Sequence, residues 1–196
     1  MSEVGKKQGK LLIVSGPSGA GKSTICREVA RRKDVFLSIS ATTRARGKGE
    51  VDGRDYWFIT RQEFEKRIEQ DLFLEYAEVF GNLYGTPADV VEKALGEGRT
   101  VILEIDVQGA RKVKERHPEA VMIFILPPSE SELASRLADR GRETASAAKV
   151  RLGQASREIA EAAKNYQYRV VNAELEKAIE EVIGIIDCKT VENKYD

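Results

Sequence analysis

Residues Gly16–Thr24 read GPSGAGKST and follow directly on the apolar run LLIVS. The spacing is that of a phosphate-binding loop, G-x-x-x-x-G-K-[ST], set between a strand and a helix. Its glycines let the backbone turn N–H groups inward, so that Gly16, Pro17, Ser18, Gly19, Ala20 and Gly21 form an anion cradle. The helix beginning near Gly21 adds the positive end of its dipole to the same spot. Lys22 is placed to bridge outer phosphates, and the Ser23 hydroxyl, followed by Thr24, to join the shell of a magnesium ion. A chance glycine-rich turn is the weaker reading of a full motif in this context. The loop is expected to bind a nucleoside triphosphate.

What accepts the phosphate must be read elsewhere. A GTPase would usually carry a downstream N-K-x-D motif, and the chain has none. The strand VILEID carries Glu104 and Asp106 two residues apart, on one side of the strand, near the carboxyl end where open α/β sheets bind ligands. A structural carboxylate pair capping the next helix is the alternative. For Glu104 the two readings stay level, whereas Asp106, beside VQG, reads as functional. The segment SATTRARGKGEVDGRDYWF offers hydroxyls and arginines whose forks suit a second phosphate group. Further on come Glu75, Tyr84 and Thr86. A carboxylate with a hydroxyl suits a guanine edge: the carboxylate accepts from N1–H and the 2-amino group, and the hydroxyl donates to O6. Adenine would leave such a buried carboxylate without donors, at a cost of ~1–3 kcal/mol or more. Each of these residues alone is more often solvated surface, so the inference rests on their joint occurrence.

The elements that must hold these residues alternate. LLIVS, VFLSIS, TVILEID, AVMIFILPP and YRVVN read as strands, the first as a run buried on both faces and the third and fourth as buried-strand runs. Helices are expected over Thr24–Lys33, Arg61–Phe73, Ala88–Leu95, Ala145–Lys164 and LEKAIEEVIGIIDC, with another opened by a capping box at Ser129 and Glu132. YWFIT has strand character, and FLEYAEVFGNLYGTP reads as a strand and turn ended by Pro87. Such alternation argues a parallel sheet covered on both faces. Ala41–Pro87 fits it poorly and reads as an inserted mixed subdomain.

The totals set bounds. The chain has 196 residues, 41% hydrophobic and 33% charged, with 32 basic and 32 acidic side chains. That balance gives no push towards nucleic acid or a membrane surface. No apolar stretch approaches the ~18 residues of a membrane span, and the polar N-terminus is not a secretory signal. Cys26 and Cys188 form no C-x-x-C pair, and each reads as a small hydrophobe rather than a redox group. The expectation is a cytoplasmic globular protein. His117, in ERHPEA, reads as a helix-end residue, Trp57 as a packed residue facing away from Tyr56, and EKRIEQD as a solvated face.

At this point the sequence resembles the guanylate kinases. The resemblance runs from Lys10 to Ile186 and is carried by SGPSGAGKST, SATTR, GEVDGRDYWF, FLEYAEVFGNLYGTP, LEIDVQGA and FILPPS. It implies a three-layer α/β P-loop NTPase fold in one domain: a parallel core (about 10–39, 88–128 and 165–196), a mixed α/β GMP-binding insertion (about 40–87) and a helical lid (about 129–164). It implies ATP as phosphoryl donor with Mg2+, and GMP, with dGMP, as acceptor. Ser40, Arg44, Tyr56 and Tyr84 would face the GMP phosphate, and Glu75, Thr86 and Asp106 the guanine. Asp106 would also reach a metal-bound water beside the ion held by Ser23. Arg136, Arg140 and Arg151 match arginines that a lid brings onto the ATP phosphates, and Asn172 matches a position near adenine. Nucleic acid and membrane are not expected partners, and oligomeric state stays open.

One position departs from the family. Its acceptor loop usually runs T-T-R-x-P-R-x-G-E, and here the loop reads T-T-R-A-R-G-K-G-E. Gly47 stands where the second arginine belongs, flanked by Arg46 and Lys48, and Arg46 is the expected substitute. Two rival readings are weighed. One is a scaffolding module, which would be expected to show a degraded P-loop and flanking domains, whereas Lys22 and Ser23 are kept. The other is a kinase for a different nucleoside monophosphate, which Glu75 and Thr86 oppose.

Overall fold

A computed structural model of the chain describes residues 9–139 and 145–188. Its first strand, β1 (Leu11–Ser15), is buried throughout, as the unbroken apolar run requires. Helix α1 (Lys22–Arg32) starts directly at the phosphate-loop lysine, two residues before the expected position, because Gly21 serves as its left-handed N-cap. There follow β2 (Val35–Leu37), β3 (Ala41–Thr42), β4 (Trp57–Phe58), α2 (Arg61–Glu69), β5 (Phe73–Val79), β6 (Asn82–Pro87) and α3 (Ala88–Gly96). The chain continues with β7 (Thr100–Glu104), α4 (Val107–Arg116), β8 (Val121–Leu126), α5 (Glu130–Asp139), α6 (Ala145–Asn165), β9 (Tyr168–Val171) and α7 (Leu175–Asp187).

The strands form two sheets. Five take the order β2-β7-β1-β8-β9, and four take the order β4-β3-β6-β5. In the first, β2 runs parallel to β7 and β8 parallel to β9. The second is mixed, with β3 parallel to β4 and antiparallel to β6, and with β5 antiparallel to β6. Its existence accounts for the break in βα alternation after Ala41. The chain gathers into two units. Among the described residues, one holds 9–12, Asp34–Leu103 and Gln108–Ala120, and the other holds Ile13–Lys33, Glu104–Val107, 121–139 and 145–188.

Within the first unit, β5 and β6 form a hairpin where the sequence suggested one strand and a turn. The turn residues Phe80 and Gly81 both have positive φ, 50° and 77°, the signature of a two-residue type I′ turn matched to strand twist. Ala41, Phe64, Phe73 and Leu83 make the core beneath this sheet, with the Phe64 and Phe73 rings stacked at 4.4 Å. Helix α2 opens on a Thr60 cap that accepts from the Glu63 N–H. It stops at Glu69, short of the expected Phe73. Asp71 turns left-handed at φ 53°, and the N–H groups of Leu72 and Asp71 return to the carbonyls of Arg67 and Ile68. That is a Schellman closure.

In the second unit, Met122–Ile125 and Val170 are buried in the sheet, and Ala178, Ile179, Val182 and Ile186 form the inward face of α7. Leu133 of α5 packs on Ala155 and Leu152 of α6. The Ser129 hydroxyl caps α5 by accepting from the Glu132 N–H at 3.1 Å. The Glu132 carboxylate, expected to reach back in a capping box, instead accepts from Arg136 Nε at 3.0 Å. Cys26 is buried on α1, whereas Cys188 is exposed at the end of α7.

Candidate active site

The phosphate loop is built by three glycines with positive φ: Gly16 at 147°, Gly19 at 92° and Gly21 at 92°. At two of them a side chain also has no room. A Cβ on Gly16 would sit 2.3 Å from the Ile125 carbonyl oxygen, and one on Gly21 would sit 2.2 Å from Asn172 Nδ2. The loop is thus pressed against the ends of β8 and β9. Asn172, buried just past β9, donates from Nδ2 to the Ala20 carbonyl at 2.8 Å and from its backbone N–H to the Leu126 carbonyl at 2.8 Å. The family resemblance matches this residue to a position near adenine; in the fold its amide braces the loop.

Lys22 carries its ammonium back over the loop, donating to the carbonyls of Gly16 at 2.6 Å and Pro17 at 3.0 Å. Ser23 Oγ donates to Glu104 Oε1 at 2.6 Å, so the carboxylate ending β7 belongs to the phosphate loop. Asp106 lies two residues on, half-buried, with Ile105 buried between them. Cys26, one turn along α1, has its thiol pKa pushed up by burial first and by the Glu104 charge second. Arg136 is half-buried on α5, and its NH2 approaches the Asn172 carbonyl at 3.4 Å. Arg140 and the Arg151 side chain lie outside the described residues.

The first unit holds a second group of site residues. β3 pins its outgoing chain: Thr42 Oγ1 donates to the Leu83 carbonyl and accepts from the Arg44 N–H. This places Arg44, whose guanidinium lies 5.4 Å from the Tyr56 ring centre and 5.7 Å from that of Phe58. Such cation–π contacts favour a flat guanidinium over the ring. Tyr56 in turn meets Phe58 and Tyr84 edge-on, each at 5.9 Å. Arg44 forms a two-pronged ion pair with Glu50, which, ahead of the Tyr84 hydroxyl, holds its pKa above the ordinary arginine value. Ser40 is half-buried and its carbonyl accepts from the Trp57 N–H. Arg46 and Lys48 are exposed.

Glu75 and Thr86 face each other across the hairpin. A register irregularity between Phe73 and Glu75 lets Leu74 and Glu75 both turn inward. Glu75 is 6% exposed and Thr86 fully buried, with Thr86 Oγ1 donating to Glu75 Oε1 at 2.7 Å. Tyr84 and Thr86, two residues apart on β6, share a side of the strand. Glu50 and Phe58 also belong to this second group, and neither carries a motif signal of its own in the sequence. Both lie in the quoted segment GEVDGRDYWF, but a lone glutamate in a charged loop reads as solvated. His117 is a helix-end residue, as expected, its N–H returning to the Val113 carbonyl. Trp57 does face away from Tyr56 but is 43% exposed rather than packed.

A parallel sheet with a strand–glycine loop–helix phosphate cradle defines the P-loop NTPase class. The family model described as "Guanylate kinase" matches residues 8–189. The chain is 52% identical over 180 residues to the guanylate kinase of Clostridium perfringens (strain 13 / Type A), covering 91% of this chain and 83% of that protein. It is 49% identical over 193 residues to the guanylate kinase of Caldanaerobacter subterraneus subsp. tengcongensis, covering 96% and 93%. Among solved structures, the guanylate kinase of Anaplasma phagocytophilum matches with a TM-score of 0.78 at 35% identity, over 95% of this chain and 90% of that one. The chain belongs to the guanylate kinase family, and it is a phosphotransferase.

Proposed function

We propose that this chain transfers the γ-phosphoryl group of ATP to GMP, giving ADP and GDP, with dGMP as an alternative acceptor. The buried, mutually bonded pair Glu75–Thr86 carries the guanine assignment. Guanine N1–H and its 2-amino group donate to the Glu75 carboxylate, and the Thr86 hydroxyl turns its hydrogen from Glu75 to O6. Arg44, Tyr56 and Tyr84 hold the acceptor phosphate, with Ser40 beside them. The phosphate loop and Lys22 hold the donor. An oxygen of the GMP phosphate attacks the γ-phosphorus in line, the bond to the bridging oxygen breaks, and ADP leaves with that oxygen. No protein nucleophile is required, so the residues act by positioning and by spreading charge. Lys22, Arg136, Arg140 and Arg151 supply that charge.

Among the described residues no group of three or more His, Cys, Asp or Glu forms a cage for a metal. Magnesium needs none, since it is commonly held by one or two protein oxygens together with substrate phosphates. The Ser23 hydroxyl on Glu104, with Asp106 two residues on, is an all-oxygen donor set of that kind. Ser23 would hold the ion, and Asp106 would reach it through water. Once bound, the ion would neutralise phosphate charge.

No described helix is long and apolar enough to cross a membrane, and a cytoplasmic site of action suits the nucleotide substrates. The test is ADP release measured with GMP, AMP, CMP and UMP as acceptors. Rapid turnover with GMP alone is expected. Equal rates with AMP would overturn the guanine assignment, and no transfer to any acceptor would favour a scaffolding role.

A further inference from the structure

We propose that Glu50 is a positioning residue for the acceptor phosphate: it grips one end of the Arg44 guanidinium and so aims the other edge at the phosphate. This rests on the reading above, in which Arg44 takes the phosphate of GMP.

A guanidinium has five N–H groups in a fixed plane. NH1 donates to Glu50 Oε2 at 3.0 Å and to the Ala45 carbonyl at 2.8 Å, while NH2 donates to Glu50 Oε1 at 2.9 Å. Those bonds take three hydrogens; the other two are Nε–H and the second NH2 hydrogen, and the guanidinium also shares a hydrogen bond with Tyr84. Nε–H and the second NH2 hydrogen lie on a single edge, the geometry that matches two oxygens of a phosphate. The Tyr56 and Phe58 rings flank the guanidinium carbon at 5.4 and 5.7 Å. The Tyr84 hydroxyl, hydrogen-bonded to the same guanidinium, is a further group suited to phosphate.

Glu50 is itself held. Its Oε2 accepts from the Gly47 N–H at 2.6 Å, and its own N–H returns to the Gly47 carbonyl at 3.2 Å. The backbone of the departing position is therefore tied to the carboxylate that orients Arg44. The family pattern places an arginine there. This chain closes a turn instead, with Arg46 exposed beside it. A clamp with one inward arginine depends heavily on that arginine's orientation, and Glu50 provides it. The carboxylate sits at the end of the fork, with the guanidinium between it and the phosphate-facing edge, so it does not compete for the same donors.

Glu50→Gln, Glu50→Asp and Arg44→Ala, alone and combined, decide the matter on the full chain, with GMP and guanosine binding followed by calorimetry alongside kinetics. Glu50→Gln should raise KM for GMP about tenfold, the size of one charge-assisted bond. kcat and KM for ATP should change much less, and guanosine affinity should not move. In the Arg44→Ala background Glu50→Gln should add nothing, and Glu50→Asp should recover part of the loss because it keeps the charge. An unchanged KM in Glu50→Gln would overturn the proposal. So would an equal loss with and without Arg44, or an equal loss for guanosine and GMP. A wild type that binds GMP no better than guanosine would overturn the clamp as a whole. A wild type that binds GMP well without phosphorylating it would overturn only the reaction proposed above.

Discussion

Thr86 and Glu75 are joined by a 2.7 Å hydrogen bond in the interior of the hairpin, on adjacent strands and in register. A buried carboxylate normally demands a strong reason, since removing it from water is costly unless it is bonded. The hydroxyl satisfies one oxygen and holds the group where a base with two adjacent donors can engage it.

Glu75→Gln is expected to weaken GMP binding by about tenfold to a hundredfold, the worth of hydrogen bonds to a charged group. An amide cannot accept from N1–H and the 2-amino group at once. Calorimetry with ATP should show no comparable change. Loss of both affinities to the same degree would make the residue purely structural.

Lys22→Ala should lower kcat by about a hundredfold or more while GMP binding changes little, as for other single electrostatic contacts made in the transition state. The ammonium spans the Gly16 and Pro17 carbonyls. Single-turnover kinetics would show the loss in the chemical step. A variant with normal kcat would refute the loop's role.

Two glycines with similar φ should respond differently to alanine. Gly21 and Gly49 both have positive φ, 92° and 82°. A Cβ on Gly49 meets nothing within 4 Å, whereas one on Gly21 strikes Asn172 Nδ2. Gly49→Ala should cost only the backbone strain, about 1–2 kcal/mol. Gly21→Ala should in addition displace the brace on Ala20 and raise KM for ATP severalfold. Thermal melts with and without ATP separate the two: only Gly21→Ala should show a smaller ligand-induced rise in Tm at a fixed ATP concentration.

Across the acceptor loop, Arg44→Ala should raise KM for GMP most, Arg46→Ala less and Lys48→Ala least. Arg44 is half-buried against aromatic rings, whereas the other two are exposed. Guanine preference should survive in all three, because base and phosphate are held by different residues. Steady-state kinetics with GMP and AMP checks both statements, and a larger effect at Arg46 than at Arg44 would reverse the ranking.

The phosphate loop, the core strands and the Glu75–Thr86 pair were legible because their signals are local or strongly patterned. A glycine–lysine–hydroxyl spacing fixes backbone geometry, and unbroken apolar runs such as LLIVS have nowhere to go but inside. What escaped depends on partners distant in sequence. NLYGTP has the composition of a turn, yet it pairs as β6, and Gly85 sits where a Cβ would meet Phe64 and Phe73 at 2.9 Å. Asp71 ends α2 through backbone bonds that no apolar periodicity announces. Glu132 kept the cap at its N–H and gave its carboxylate to Arg136, two options the sequence does not separate. Glu50 looked like solvent-facing charge because only the folded loop brings Arg44 onto it.

Trp57 gives this architecture a built-in optical probe. It is the single tryptophan of the chain, follows Tyr56 directly on β4, and has an indole edge where a Cβ on Gly53 would lie 2.9 Å away. Being 43% exposed, it has an emission colour that tracks its contact with water. Selective excitation of the indole therefore reads the acceptor loop alone, with no background from other tryptophans. Titrating the unmodified protein with GMP should shift that emission directly, without a label.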